Sequence, residues 1–169
     1  MRTEKEMYHM MMQIAEEDER IRAVYMNGSR TNQNVEKDIF QDYDVVYVVR
    51  DTKPFIEEKE WINKFGEIWF MQYPDEHPDF PSDKENFYGW LMQFKDGNRI
   101  DLHVETVKHA KEHITDDKLC KILLDKDNLL PKDVEHFENF GMNALLILPV
   151  VQYGKQIGCV AFFEFEKYR

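Results

Sequence analysis

Short apolar runs separated by polar turns dominate the first part of the chain, and they predict β-strands. Residues 22–26 form one such run, and residues 42–49 form a longer one that begins with Asp42 and is rich in β-branched and aromatic side chains. Residues 88–95 and 99–105 predict two strands joined by Asp-Gly-Asn, a strong hairpin signal. Residues 68–72 predict a further strand.

Four further segments of the chain predict helices. Thr3 and Glu6 fit a capping box that would begin the first helix, and methionines recur at helical spacing after it. Residues 57–65 predict a short helix that Gly66 ends, residues 108–113 predict a helix with a solvated face, and apolar residues at helical spacing predict another at residues 116–124. The chain therefore combines strands with helices, which predicts an α+β fold with a mixed β-sheet packed with helices.

Two proline-containing segments, residues 51–55 and 73–83, predict loops. His109 and His113 stand four residues apart on a predicted helix, as in some zinc-binding helices. The glutamate of the H-E-x-x-H motif is absent between them, so we favour a solvated helix face.

The last stretch reads as an apolar run at residues 144–151, a turn containing Gly154, and a second apolar run at residues 156–165. This pattern predicts a C-terminal β-hairpin. A charged stretch broken by Pro131 precedes it and is the best domain boundary. We therefore predict a first domain at residues 1–131 and an extension at residues 132–169.

The chemistry of the chain is concentrated around Asp42 and Asp44 at the start of the second predicted strand. Residues two apart on a strand point to the same face, and two adjacent carboxylates stay ionised most easily with a cation between them. Gly28 and Ser29 form a small turn upstream that can bring backbone N–H groups to a phosphate, and Arg30 can add charge-assisted hydrogen bonds. The alternative is an ordinary turn followed by a solvated acidic pair.

Asp101 is the third candidate carboxylate. Alternation along its strand places Arg99, Asp101, His103 and Glu105 on one face and the apolar residues between them on the other. Asp101 can therefore face the acidic pair across neighbouring strands. Magnesium binds a few carboxylate oxygens together with substrate phosphates, so two or three aspartates suffice. His103 could position a substrate or lie at the surface.

Three phrases resemble the nucleotidyltransferase superfamily, namely G-S-R at residues 28–30, F-Q-D-Y-D at residues 40–44 and I-D-L at residues 100–102. More closely, they are similar to bacterial aminoglycoside 6-adenylyltransferases, also called streptomycin adenylyltransferases. Further matching phrases lie at residues 1–7, 17–22, 61–66 and 124–127. The resemblance covers roughly residues 1–131.

The resemblance implies a nucleotidyltransferase-type sheet and an antibiotic-resistance reaction that moves AMP from ATP to a hydroxyl of an aminoglycoside. Asp42, Asp44 and Asp101 would hold Mg²⁺, and Asp101 would lie close to the attacking hydroxyl as metal ligand or base. Gly28 and Ser29 would cradle the triphosphate, which Arg30 would help to neutralise.

Family members continue into a helical C-terminal domain, whereas residues 132–169 do not resemble its beginning. One alternative is therefore a truncated or vestigial module that binds nucleotide without turnover. Another is a small-ligand sensor, because the terminal hairpin is faintly similar to a strand pair of GAF-type domains. The hairpin's exposed edge also leaves open a homo-oligomer.

The net charge and the cysteine count indicate which partners and which class of protein the chain fits. A net charge of −11 argues against non-specific nucleic-acid binding and suits a cationic acceptor. Two cysteines are too few for a disulfide scaffold, and Cys120 is more consistent with a core position than with a nucleophile. The sequence shows neither a signal peptide nor an apolar run of membrane-spanning length, so we expect a cytoplasmic protein.

Overall fold

A six-stranded mixed sheet forms the centre of the structure, which is a computed structural model. It describes residues 1–32, 34–36, 38–79, 82–116 and 119–131, and the backbone of strands at residues 142–152 and 155–165. The six strands are β1 (Ile21–Asn27), β2 (Tyr43–Val49), β3 (Ile68–Gln72), β4 (Phe87–Phe94), β5 (Arg99–Thr106) and β6 (Lys121–Asp125).

The strand order is β3-β4-β5-β2-β1-β6. β2 and β5 run parallel, and the other neighbouring pairs are antiparallel. The prediction of a mixed sheet packed with helices is therefore confirmed. The β4–β5 hairpin turns at Gly97, which has a φ of 91° and so occupies a backbone region that favours glycine.

Three α-helices accompany the sheet: α1 (Glu4–Glu17), α2 (Lys53–Glu57) and α3 (Val107–His113). The predicted capping box begins α1, because the Thr3 side chain accepts from the Glu6 backbone while the Glu6 side chain accepts from the Thr3 backbone. Short 3₁₀ helices occupy Ser29–Thr31, Lys59–Phe65 and Pro74–Glu76. Among the described residues, no helix has the length and apolar character that a membrane crossing requires.

Two segment predictions were wrong. Residues 116–124 were predicted as a helix, but β6 occupies the end of that segment and pairs with β1. Residues 51–55 were predicted as a loop, but α2 begins within them and accommodates Pro54 in its first turn, where a missing N–H costs nothing. Cys120 is buried as predicted, although it precedes a strand.

The two faces of the sheet carry separate hydrophobic clusters. On β2, Val45, Tyr47 and Val49 belong to the larger cluster, which includes α1 and the aromatic residues of the second 3₁₀ helix. Val46 and Val48 belong to a smaller cluster beside α3. The predicted alternation along β5 is confirmed, because Ile100, Leu102 and Val104 all lie in the larger cluster. The polar residues between them are left for the opposite face.

The chain divides into two compact units, Met1–Phe137 and Glu138–Arg169. In the second unit, β7 (Met142–Gln152) pairs antiparallel with β8 (Lys155–Phe165). The predicted turn at Gly154 lies outside the described residues, so the hairpin as a whole stays a prediction.

Candidate functional site

Three aspartates converge at the end of the sheet where the central strand β2 begins. Asp42 immediately precedes β2, and Asp44 is the second residue of that strand. Asp101 on β5 is the register partner of Asp44 in the parallel β2–β5 pair. One carboxylate oxygen from each residue lies within 4.8 Å of the others. In the part of the chain that the structure describes, this is the one group of three or more His, Cys, Asp or Glu side chains placed to hold a metal ion.

Gly28 closes one side of this carboxylate group. Its φ of 75° lies in the region that favours glycine. A Cβ atom at this position would lie 2.1 Å from Asp44 Oδ2, which is far inside van der Waals contact. The backbone at residue 28 can therefore approach the Asp44 carboxylate only because the side chain is absent.

The chain turns sharply after Gly28. Ser29 begins a 3₁₀ helix, and Thr31 donates to the Gly28 carbonyl from both its backbone N–H, at 3.1 Å, and its hydroxyl, at 2.8 Å. These bonds fix the turn next to the carboxylates. Ser29 lies in this turn as predicted, and its proposed contact with phosphate stays a prediction.

Arg30 holds the segment that leads into Asp42. Its Nε donates to the Asp42 carbonyl at 2.7 Å and its Nη2 to the Gln41 carbonyl at 2.6 Å. The guanidinium also stacks 3.8 Å from the Tyr43 ring centroid, and the side chain is only 7% exposed. These contacts give Arg30 a positioning role, while its predicted contact with a triphosphate stays a prediction.

Two residues next to the aspartates in register or sequence each carry a buried polar atom without a hydrogen-bond partner among the described residues. These atoms are Asn27 Oδ1 and Gln41 Oε1. Asn27 pairs with Asp44 across the β1–β2 register, and Gln41 directly precedes Asp42. Buried polar atoms are normally satisfied, so such atoms beside an acidic group are consistent with a site that binds a polar ligand.

Arg99 is a site residue that the sequence analysis placed on the right face but did not assign to the site. Its Nε and Nη2 donate to the two oxygens of Asp101 at 2.8 and 2.7 Å. The hydrogen bond with Asp101 raises the pKa of Arg99, and the charges of Asp42 and Asp44 act in the same direction. The i, i+2 spacing of Arg99 and Asp101 on one strand places them on the same face but does not by itself specify their contact.

His103 lies on the same face as Asp101, one step further along β5. Its ring stacks on Phe87 with centroids 4.7 Å apart, and it packs so closely on Gly89 that a Cβ there would lie 2.3 Å from the ring. Burial lowers the pKa of His103, although the charges of Asp75 and Asp101 oppose this. The imidazole is therefore held in place by packing.

A second polar cluster follows His103 beneath α3. Glu105 is 1% exposed; it accepts from the Tyr25 hydroxyl at 2.5 Å and lies 2.7 Å from His109 Nδ1. The His113 ring lies 4.4 Å from the His109 ring, and its Nδ1 lies 2.9 Å from Asp116. The predicted solvated face is thus wrong for His109, which binds a buried carboxylate and joins α3 to the sheet.

Within the predicted loop at residues 73–83, the described residues Pro74–Glu76 form a short 3₁₀ helix that contacts β4. Asp75 Oδ2 accepts from the Gly89 backbone N–H at 2.8 Å. A cavity of about 380 Å³ lies beside this loop, lined by Ile56, Lys59, Tyr73, Glu76, Tyr88 and Trp90. Tyr88 and Trp90 belong to the larger hydrophobic cluster, so the cavity lies on the opposite face of the sheet from the carboxylates.

Comparison with known proteins places these residues in context. A family model described as streptomycin adenylyltransferase matches residues 1–140. Proteins named aminoglycoside 6-adenylyltransferase are similar to the chain over most of its length. Identity is 39% for the protein from Staphylococcus aureus, 40% for that from Bacillus subtilis (strain 168) and 42% for that from Campylobacter jejuni, over 79%, 77% and 78% of this chain.

A solved structure is also similar. The crystal structure of an aminoglycoside 6-adenyltransferase from Bacillus subtilis superposes with a TM-score of 0.61 at 31% identity, over 85% of this chain and 45% of that chain. The chain covers 48%, 46% and 46% of the three relatives, so it spans less than half of their length. These matches confirm the resemblance read from the sequence.

Proposed function

The chain belongs to the streptomycin adenylyltransferase family, and on that premise we propose that it carries a nucleotidyl-transfer site for aminoglycosides. The reaction would move AMP from Mg-ATP to a hydroxyl of an aminoglycoside such as streptomycin, a modification that confers antibiotic resistance. Three relatives named aminoglycoside 6-adenylyltransferase support adenylyl transfer to this class of acceptor.

The observation that carries the proposal is the convergence of three carboxylates from two parallel strands beside a glycine turn. Asp42, Asp44 and Asp101 each bring one oxygen within 4.8 Å of the others. Carboxylate oxygens in this arrangement are the donors that Mg²⁺ prefers. The unpartnered Asn27 Oδ1, on the register partner of Asp44, further supports a fit for a metal–nucleotide complex.

In this proposal, the three aspartates hold Mg²⁺. When bound, the metal would neutralise phosphate charge and stabilise the attacking and leaving oxygens. Gly28 and Ser29 approach the triphosphate through the backbone, since no side chain at residue 28 stands in the way. Arg30 adds positive charge while it fixes the carbonyls of Gln41 and Asp42.

Asp101 has the second role, at the acceptor. The acceptor hydroxyl oxygen bonds to the α-phosphorus, and the bond from that phosphorus to the pyrophosphate oxygen breaks, so pyrophosphate leaves with the electron pair. The hydroxyl proton passes to an Asp101 carboxylate oxygen, or is released from a hydroxyl that Asp101 orients as a metal ligand. The net charge of −11 favours a polycationic acceptor through attraction to an acidic surface.

The proposal also covers the domain organisation of the chain and the cellular location of the reaction. We assign nucleotidyl transfer to residues 1–131 and treat residues 132–169 as a separate extension in which β7 and β8 form a hairpin. Because ATP is the AMP donor, we place the reaction in the cytoplasm.

Calorimetry tests the metal–nucleotide site. ATP should bind wild-type protein in the presence of Mg²⁺ and much more weakly without it. Asp42→Asn and Asp44→Asn should each weaken Mg-ATP binding at least about tenfold, because each removes a ligand charge. Asp116→Asn is the matched control, since that side chain is 70% exposed on another part of the surface and should bind like wild type. A folded sample that binds no ATP contradicts the proposal.

Transfer of radiolabelled AMP to streptomycin tests turnover, and Asp101→Asn tests the role of Asp101. A base contributes roughly 10²- to 10⁴-fold to rate, so this variant should lose transfer far more than it loses ATP binding. Equal loss of both would reject the assignment to the acceptor side. Binding of Mg-ATP with no transfer would assign the chain nucleotide binding alone.

A further inference from the structure

Arg99 is a cation built into the acidic site, and the reaction proposed above gives it no task. Its guanidinium uses both oxygens of Asp101, with Nε 2.8 Å from Oδ1 and Nη2 2.7 Å from Oδ2. The same Nε lies 3.7 Å from Asp42 Oδ2. One planar side chain therefore contacts two of the three carboxylates.

The contact offsets a strong repulsion. Three carboxylates whose oxygens lie within 4.8 Å of one another repel each other through their negative charges. Arg99 is influenced by all three, because its pKa is raised first by the hydrogen bond with Asp101 and then by the charges of Asp101, Asp42 and Asp44, against burial. A guanidinium is always charged, so it neutralises part of this cluster at any physiological pH.

The same contact obstructs a divalent cation. Mg²⁺ binds carboxylate oxygens at about 2.0–2.1 Å and in near-octahedral geometry. The bidentate pair with Arg99 engages both Asp101 oxygens, and its guanidinium already lies next to Asp42. Two cations at this distance from each other would also repel.

Arg99 has room to move away. Its side chain is 45% exposed, compared with 12% for Asp101. It is the first residue of β5, directly after the hairpin turn, so only its backbone is fixed by pairing with Gln93. Departure from Asp101 therefore needs rotation of one half-exposed side chain and no change in the sheet.

We propose that Arg99 is a resident counter-cation, which binds Asp101 beside Asp42 and offsets the charge of the three carboxylates in the metal-free protein, and which leaves Asp101 when a divalent cation binds. This inference rests on the proposed function, because it takes the three aspartates as the metal ligands. It predicts that removal of the arginine charge has opposite effects on metal affinity and on the stability of the metal-free protein.

Mn²⁺ binding to the full chain without nucleotide tests the inference. The electron paramagnetic resonance signal of the free ion measures how much Mn²⁺ is bound. Arg99→Gln should bind Mn²⁺ about tenfold more tightly than wild type, and Arg99→Lys, which keeps the charge but not the planar fork, should lie between them. Lys53→Gln removes one positive charge at the far end of β2, on a side chain that is 73% exposed, and should leave Mn²⁺ affinity unchanged within about twofold.

Thermal unfolding supplies the second readout. Arg99→Gln should melt below wild type without Mn²⁺, and the difference should close at saturating Mn²⁺. If Arg99→Gln binds Mn²⁺ no more tightly than wild type while Asp44→Asn loses Mn²⁺ binding, the role of Arg99 is overturned and the metal site is supported. Equal Mn²⁺ binding by wild type and Asp44→Asn overturns the metal site itself.

Discussion

At the scale of single residues, the site depends on how closely the Gly28 backbone approaches the Asp44 carboxylate. The φ of 75° and the 2.1 Å that would separate a Cβ from Asp44 Oδ2 are independent constraints on this residue. A side chain here would have to move the carboxylate, the turn or both. The position therefore couples the turn at residues 28–31 to the Asp44 carboxylate.

Gly28→Ala should abolish most Mg-ATP affinity, with a loss of about tenfold or more in calorimetry, because Asp44 must shift. It should also lower the free energy of unfolding by about 1–3 kcal/mol through backbone strain. Gly97→Ala is the matched control. Its φ of 91° imposes similar strain, but its Cβ would meet only the flexible end of Met1. Gly97→Ala should lose stability and keep ATP affinity; equal ATP affinity in both variants would contradict the prediction.

The sequence predicted that the three aspartates would converge because strand alternation and an Asp-Gly turn follow local rules. Those rules place Asp101 on the polar face, and a parallel neighbour then brings it to Asp44. They do not reveal the partners of the two arginines. Arg30 binds carbonyls of a surface segment and Arg99 turns toward Asp101, and both contacts depend on side-chain paths that spacing alone leaves open.

At the scale of elements, β6 shows where local pattern and tertiary structure disagree. Leu119, Ile122 and Leu123 recur at helical spacing, which favoured a helix. The structure instead pairs this segment with β1, where a bulge between Val24 and Tyr25 shifts the register. Ile122 then packs on the smaller cluster and Leu123 on the larger one. Burial on both faces of a sheet outweighed local preference, and spacing alone does not reveal such long-range pairing.

The β4–β5 hairpin is fastened to the N-terminus by Asp96. Its Oδ2 accepts from Arg2 Nε at 2.7 Å and from the Arg2 backbone N–H at 3.0 Å, while its Oδ1 accepts from the Asn98 N–H at 3.0 Å. Burial raises the pKa of Asp96, but the hydrogen bonds from Arg2 and Asn98 outweigh it and hold the pKa well below its usual range. Its folded pKa therefore lies below its unfolded value.

A depressed folded pKa contributes stability above the unfolded value near 4, and this stability is lost as the pH falls further. Asp96→Asn should lower the free energy of unfolding at pH 7 by about 1–2 kcal/mol. The difference from wild type should shrink between pH 4 and pH 2, as urea unfolding followed by circular dichroism would measure. Asp116→Asn, on an exposed side chain, should change little. A constant difference across this range would show that ionisation of Asp96 is not the cause.

At the scale of the whole molecule, the described core is complete before the proposed boundary. Among the described side chains, the buried apolar residues run from Met7 to Leu130. All six strands of the mixed sheet end by Asp125. Among the described residues, all those of the proposed nucleotidyl-transfer site lie within residues 1–131.

A fragment of residues 1–131 should unfold cooperatively on heating and bind Mg-ATP within about threefold of the full chain, because it keeps both hydrophobic clusters and all three aspartates. The full chain measured in parallel is the reference. A fragment that lacks a cooperative transition would show that residues 132–169 are needed for folding. A folded fragment without ATP affinity would show that they contribute to the site.

The parallel pairing of β2 with β5 determines which folding states of the chain can bind a ligand at the aspartates. Asp44 and Asp101 are neighbours only when β2 pairs with β5, and this pairing closes a long loop that contains α2, β3 and β4. Any ligand that bridges the two residues therefore binds chains with the native topology and has no bridged site in partly folded chains. By mass action it shifts the population toward native molecules. The stoichiometry of bound ligand thus counts the correctly assembled fraction of a preparation.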